Sequence, residues 1–245
     1  MRGAAGAIAF LTRVPIELWV RLDGRDVARG SPFFPLVGAA LGAVVGVVAV
    51  GVGEVLPALL AAGIAIACEA VLTGAIHLDA VADLADSLGA RTRERALEIL
   101  RDPNVGAFAL VALVIDLLLR VGALAALLAE DGIVSLAAVA YALGRAAPLA
   151  IGWALPYARS GEGSGRALID EPRAWERLAG LILAVGLAFG LAGLRGLVLA
   201  VGALAGTLLV ALVAQHKLGG ATGDVLGAGI EAATLGALLA AVATA

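Results

Sequence analysis

Charge is strongly segregated along this chain. Residues 32–53 carry none and residues 178–214 carry only Arg195, whereas residues 79–104 carry ten charged side chains and residues 157–177 carry eight. A long uncharged stretch offers nothing to water, so it belongs inside protein or inside lipid. Composition decides between the two. Of 245 residues, 62% are hydrophobic, a further 33 are glycine, and only 15% are charged, against about 25% charged in ordinary soluble domains. There are too few polar residues to coat a soluble domain of this length, and the chain is too apolar for disorder. The expected fold class is an all-α, polytopic integral membrane helix bundle.

A membrane-spanning helix needs about 20 apolar residues. About seven spans fit the pattern, near 34–52, 56–76, 105–128, 133–156, 178–194, 197–214 and 226–244, the fifth and sixth being short. Short turns fall at Glu54 to Pro57, Glu130–Asp131–Gly132 and Leu194–Arg195–Gly196. The spans are rich in Gly and Ala, as in Gly38-x-x-x-Gly42-x-x-x-Gly46, where small residues let helices approach closely. Such faces serve internal packing and equally serve self-association, so a homo-oligomer is open. The longer loops, 1–33, 77–104, 157–177 and 215–225, share one side and carry 14 of the 17 basic residues. The positive-inside rule puts them in the cytoplasm. The whole chain, 1–245, reads as one membrane-embedded domain, with residues 1–33 as an interfacial and cytoplasmic N-terminal segment. The apolar run Gly3 to Leu11 is short and meets Arg13, so it is not read as a signal peptide. The single cysteine, Cys68, reads as a small buried apolar residue. A net charge of −3 without a basic, aromatic-interleaved patch excludes nucleic acid as the expected partner.

Three carboxylates follow the second span. Asp79, Asp83 and Asp86 are spaced i, i+4, i+7, which places them within about 60° of one another on a helix. Like charges so arranged repel. A divalent cation would offset this, and oxygen ligands favour Mg²⁺ or Mn²⁺ over Zn²⁺. The plainer reading is a solvated acidic face paired with the arginines that follow. His77 lies roughly 160° from Asp79 on a continuous helix, a poor co-ligand but a candidate proton acceptor for an attacking hydroxyl. In the loop after the cluster, Arg101 is a candidate for phosphate oxygens and Asp102 is either a helix cap or a substrate contact.

Near the C-terminus, Lys217, Gly219, Gly220, Thr222 and Gly223 precede Asp224. A glycine-rich loop opening a helix offers backbone N–H groups to an anion. Asp224 and Glu231, seven residues apart, share a helix face, and an intramembrane carboxylate such as Glu231 is costly and usually functional. Both are candidate metal ligands, with helix capping as the plain role for Asp224. Asp116 and Arg145 sit at similar depth in their spans, with Arg120 one turn beyond Asp116. An internal ion pair is the plain reading, and a substrate anion site at Arg145 the alternative.

Taken together, these residues resemble the adenosylcobinamide-GDP ribazoletransferases, also called cobalamin-5′-phosphate synthases. The matching pieces are Phe10-Leu-Thr-Arg13-Val-Pro15, Phe34-Pro-Leu-Val-Gly38, the run from Thr73 through His77 and Asp79 to Asp86, Arg101-Asp102 before Gly106, Gly144-Arg145, and Leu218 through Asp224 to Glu231. They cover nearly the whole chain. The family usually has Gly where this chain has Ala75, Ala80 and Ser87, and Ser with a basic residue at Pro103 and Asn104, so Asn104 is given no role. The resemblance implies a late step of cobalamin assembly at the inner membrane. Adenosylcobinamide-GDP is joined to α-ribazole or its 5′-phosphate with release of GMP, using Mg²⁺. The ligands expected for that ion on the present reading are Asp79, Asp83, Asp86, Asp224 and Glu231. Two other readings compete. CDP-alcohol phosphotransferases and intramembrane prenyltransferases carry aspartate motifs of different spacing, and a cation transporter could use Asp116, Glu231 and the acidic cluster as an ion path.

Overall fold

The computed structural model describes residues 2–160 and 165–245. Among them the chain is α-helical without a β strand, apart from a lone parallel bridge between Tyr157 and Ala221. The helices are α1 (Arg2–Leu11), α2 (Gly24–Gly30), α3 (Phe34–Gly53), α4 (Ala58–Thr73), α5 (Ile76–Ser87) and α6 (Arg93–Ile99). They continue with α7 (Ala107–Leu127), α8 (Ile133–Ala154), α9 (Arg166–Asp170), α10 (Ala174–Leu218) and α11 (Gly223–Ala243). Five elements are each long and apolar enough to cross a bilayer: α2 running into α3, then α7, α8, α10 and α11; α4 and α5 make a sixth when taken as one bent pair.

The 45-residue α10 spans both of the segments expected at 178–194 and 197–214, but it is not straight. Gly193 leaves helical geometry at φ 56°, ψ −137°. Beyond it the chain doubles back, so that a Cβ on Gly196 would fall on the Ala188 carbonyl. The turn expected at Leu194–Arg195–Gly196 therefore starts at Gly193, which lacks the Cβ that makes this backbone costly. Arg195 pins the reversal through Glu130 (2.7 Å) and the Ala241 carbonyl (2.8 Å).

Helix α8 is the hub. Almost all of it is buried, from Leu136 to Leu149, against α3, α10 and α11. On α3, Gly38 and Gly42 lie directly on the carbonyls of Tyr141 and Ala137, and a Cβ on Gly46 would come 2.7 Å from the Val134 Cα. The expected small-residue stripe is thus the α3–α8 seam. Gly202 and Gly206 on α10 meet Gly236 and Ala232 on α11 in the same way. The outer helices turn large apolar side chains outward, as at Leu118 (67% exposed) on α7 and Leu212 (68%) on α10, the pattern expected of a lipid-facing surface.

The longer loops gather at one end. The Arg13 N–H donates to the Leu72 carbonyl (2.8 Å), and Arg93 donates to the carbonyls of Leu218 (2.6 Å) and Ala158 (2.7 Å). The N-terminal segment is two helices, α1 and α2, packed on each other, with a capping box formed by Asp23 and Asp26 starting α2. Leu18 and Trp19 between them are largely exposed.

One local departure shapes this end. The second span does not run on into the acidic segment. Gly74 (φ 66°) and Ala75 (φ 55°) both adopt the left-handed conformation, and α5 leaves α4 at 92°. The acidic cluster therefore sits on a separate helix. Ala75 is the non-glycine residue with positive φ among those described, at a position where the family resemblance implies glycine. A left-handed alanine costs roughly 1–2 kcal/mol, and glycine loses part of that advantage to backbone entropy. Ala75→Gly is expected to raise stability by up to about 1 kcal/mol, read as a higher thermal midpoint in detergent or lipid.

Candidate active site

Helix α5 presents Asp79 to solvent and holds Asp83 half-buried. Asp224, at the first turn of α11, joins them because the two helices pack closely. Gly227 lies against Ala80, where an added Cβ would come within 2.6 Å of the alanine methyl. The charges of Asp79, Asp224 and Asp86 all bear on Asp83. Among the described residues, neither Asp79 nor Asp83 has a hydrogen-bond or ion-pair partner. Among the described residues, no three His, Cys, Asp or Glu side chains converge tightly enough to cage an ion by themselves. The donors are hard oxygens arranged openly. That suits a cation such as Mg²⁺, which takes one or two carboxylates and completes its shell with water and phosphate.

Asp86, expected in the same ligand set, has a different place. Its two oxygens accept the N–H groups of Gly106 (2.6 Å) and Ala109 (2.9 Å). Gly106 is the N-cap residue of α7 and brings no capping side chain, so Asp86 satisfies the helix start across 20 residues. A Cβ on Gly106 would come 2.6 Å from Asp86 Oδ1, which explains the glycine. The i, i+7 spacing put Asp86 on the right face, and the neighbouring helix end took its oxygens.

Asp224 is oriented by Arg159, whose guanidinium donates to Oδ2 (2.9 Å) and to the Leu100 carbonyl (3.3 Å), and by the Thr222 hydroxyl (3.2 Å). Arg159 was not singled out in the sequence, where its only signal was membership of the charged 157–177 stretch. Thr222 is buried and caps α11 through the Val225 N–H (3.4 Å). Gly219 ends α10 in the left-handed conformation (φ 68°), and Gly220 packs against Pro156 and Ala158. The N–H groups of Gly219 and Ala221 go to the carbonyls of Gln215 (3.2 Å) and Pro156 (2.8 Å). Of the loop expected to cradle an anion, Gly223 lines the cavity described next. Lys217 donates to the carbonyls of Leu88 (2.9 Å) and Ala90 (3.3 Å) at the end of α5, so it ties helices together rather than waiting for a phosphate. Asp102 turns its carboxylate on Asn104, and that backbone N–H and side-chain amide hold its carboxyl below the usual carboxylate range. Arg101 beside it is exposed.

A cavity of about 390 Å³ opens between α1, α5 and α11. Its polar lining is His77, Asp79 and Asp224, and its apolar lining includes Phe10, Ile76 and Ile230. The break at residues 74–75 restarts the helix just before His77, which is 4% exposed. Its Nδ1 faces Glu231 Oε1 at 3.8 Å.

Below His77 lies a buried ionic network. Arg120 reaches Glu231 (2.5 Å), Glu69 (3.0 Å) and the Tyr141 hydroxyl (2.7 Å). Arg145 reaches Glu69 (3.1 Å) and stands over the Tyr141 ring, 4.8 Å from its centre. Asp116 approaches Arg120 at 3.8 Å. Glu231 is therefore a partner of Arg120, not a member of the open carboxylate set, because the arginine neutralises it inside the bundle. Arg145 is fully buried against Glu69 and closed to a substrate anion. The pairing expected between Asp116 and Arg145 is divided between Arg120 and Glu69. Glu69 was missed, although the argument that flagged Glu231 as a lone intramembrane carboxylate applies to it equally.

Two stability outcomes separate these roles. Asp86→Ala is expected to cost about 1–2 kcal/mol through the exposed start of α7, whereas Asp83→Ala removes a repulsion and leaves the thermal midpoint unchanged or raised. Arg120→Leu strands Glu231, leaves Glu69 to Arg145 alone, and is expected to cost about 3–5 kcal/mol, seen as loss of folded protein from the membrane fraction.

The family model described as cobalamin-5-phosphate synthase matches residues 3–242. A protein of Pseudomonas paraeruginosa named adenosylcobinamide-GDP ribazoletransferase is 38% identical over 96% of this chain and 95% of its own length. Proteins of the same name from Pseudomonas aeruginosa (37%, over 98% and 97%) and Klebsiella pneumoniae (37%, over 96% of each) are similarly related. No solved structure matches. Matched over nearly its whole length, the chain belongs to the cobalamin-5-phosphate synthase family.

Proposed function

We propose that this chain joins adenosylcobinamide-GDP to α-ribazole or its 5′-phosphate, releasing GMP and forming adenosylcobalamin or its 5′-phosphate. The observation that carries the reading is that Asp79 and Asp83, unpartnered among the described residues, stand near Asp224, with Asp79 and Asp224 lining a cavity on the loop-bearing end. A diphosphate brought to three carboxylates is repelled unless a cation lies between them, and the open oxygen set supports Mg²⁺ held by Asp79, Asp83 and Asp224. Bound there, Mg²⁺ supplies charge neutralisation for the diphosphate.

The chain's own residues do the rest. Arg159 and Thr222 fix the Asp224 carboxylate. The ribazole hydroxyl attacks the phosphorus that carries cobinamide; a new phosphorus–oxygen bond forms and the anhydride bond to GMP breaks. The hydroxyl proton leaves to the polar lining of the cavity, His77, Asp79 and Asp224, and GMP leaves as the phosphate anion, with exposed Arg101 in the adjoining loop to meet its charge. Positioning and charge stabilisation supply most of the rate. The same end carries 14 of 17 basic residues, which supports a cytoplasmic face on the inner membrane.

The test is GMP release by purified protein in lipid vesicles, with both substrates, in Mg²⁺ and then in chelator. Release matched by a joined corrinoid product, and lost on chelation, is the expected outcome. Asp83→Asn is expected to lower turnover by about 100-fold or more while remaining folded in the membrane. Full turnover by that variant would remove Asp83 from the metal set. No release at all, with ion flux in the same vesicles, would favour a transporter.

A further inference from the structure

We infer that the apolar half of the cavity between α1, α5 and α11 is the subsite for the base of the ribazole substrate, with Phe10 as its specificity-determining residue. This rests on the transferase reading above and deepens it.

Size is the first argument. About 390 Å³ lies at the small end of ligand pockets. It accepts a nucleoside and excludes a corrin macrocycle with its side chains. Adenosylcobinamide-GDP must therefore stay largely outside, with only its diphosphate brought to the carboxylates.

Wall chemistry is the second. Phe10 projects from α1, and its ring is held by stacking on buried Phe34, 5.6 Å between centres and 11° between planes. Ala9, Ile76, Ala80 and Ile230 complete an apolar surface with it. The polar side chains His77, Asp79 and Asp224 belong to the reacting side. Guanine carries two acceptors, O6 and N7, and these apolar side chains offer no donor in place of the water lost there. The dimethylbenzimidazole of α-ribazole is a flat, two-ring, largely apolar base that has little to lose. It can lie on the Phe10 side while its ribose reaches the His77 side. The arrangement also gives the N-terminal helix, which carries no reacting group, a reason to be packed against the site.

Two substitutions test this in the full chain in lipid vesicles, with each substrate varied in turn and GMP release as the readout. Ile76→Trp fills the cavity from a position that is 47% exposed, so folding is spared. Phe10→Leu removes the aromatic face while keeping an apolar side chain. Both are expected to raise KM for α-ribazole 5′-phosphate by about tenfold, with KM for adenosylcobinamide-GDP unchanged. A rise in the KM for adenosylcobinamide-GDP alone would overturn the assignment and place the nucleotide half in the cavity. Unchanged KM values for both substrates in active Ile76→Trp protein would overturn it as well. Wild-type protein that releases no GMP would instead sink the transferase reading, and this inference with it.

Discussion

Arg120 lies with no exposed surface inside a bundle whose outer faces are built for lipid, and much of the architecture follows from neutralising it. An unpaired guanidinium in that setting is strongly disfavoured. Glu69 from α4, Asp116 from its own α7, Tyr141 from α8 and Glu231 from α11 all approach it. Arg145 closes the set by sharing Glu69. Four helices are thereby held at one depth and one rotation, because a slip in any of them would strand a charge. The glycine seams between α3 and α8, and between α10 and α11, supply close contact, but apolar contact alone specifies register weakly. The ionic network specifies it.

That network meets the reacting end at His77. Glu231 lies two turns below Asp224 on α11 and faces His77, which lines the cavity. One helix therefore carries a carboxylate for the site at its start and a structural carboxylate within the bundle. The depth of each, not its chemistry, sets its role.

Above the network, the loop end is organised by backbone groups that helix ends leave without partners. Asp86 caps α7, Lys217 meets the last carbonyls of α5, and Arg93 meets the last carbonyl of α10. Each of these ionic side chains serves a helix terminus, so the position of the carboxylates left open matters. Asp79 and Asp83 remain open, and Arg159 turns Asp224 toward them. A polar, cation-demanding side next to an apolar shelf is the arrangement needed to hold a phosphate group and an aromatic base at once.

The sequence by itself determined the helical segments, the two-ended distribution of charge, the small-residue stripe on α3 and the carboxylate-bearing face at residues 79–86. These are properties of spacing and composition, and they survive whatever surrounds them. It did not determine which carboxylates stay free. Asp83 and Asp86 are alike in one dimension, and only the arrival of α7 assigns one to a helix cap. Glu69 and Glu231 are alike too, and only Arg120, many residues away in sequence, makes both of them structural. The 92° break at Gly74 and Ala75 was likewise hidden, because alanine reads as a helix former until packing forces it left-handed. Spacing fixes which face a side chain occupies. Partners are fixed through space, by desolvated charges and unsatisfied helix ends, and those exist only once the helices have assembled.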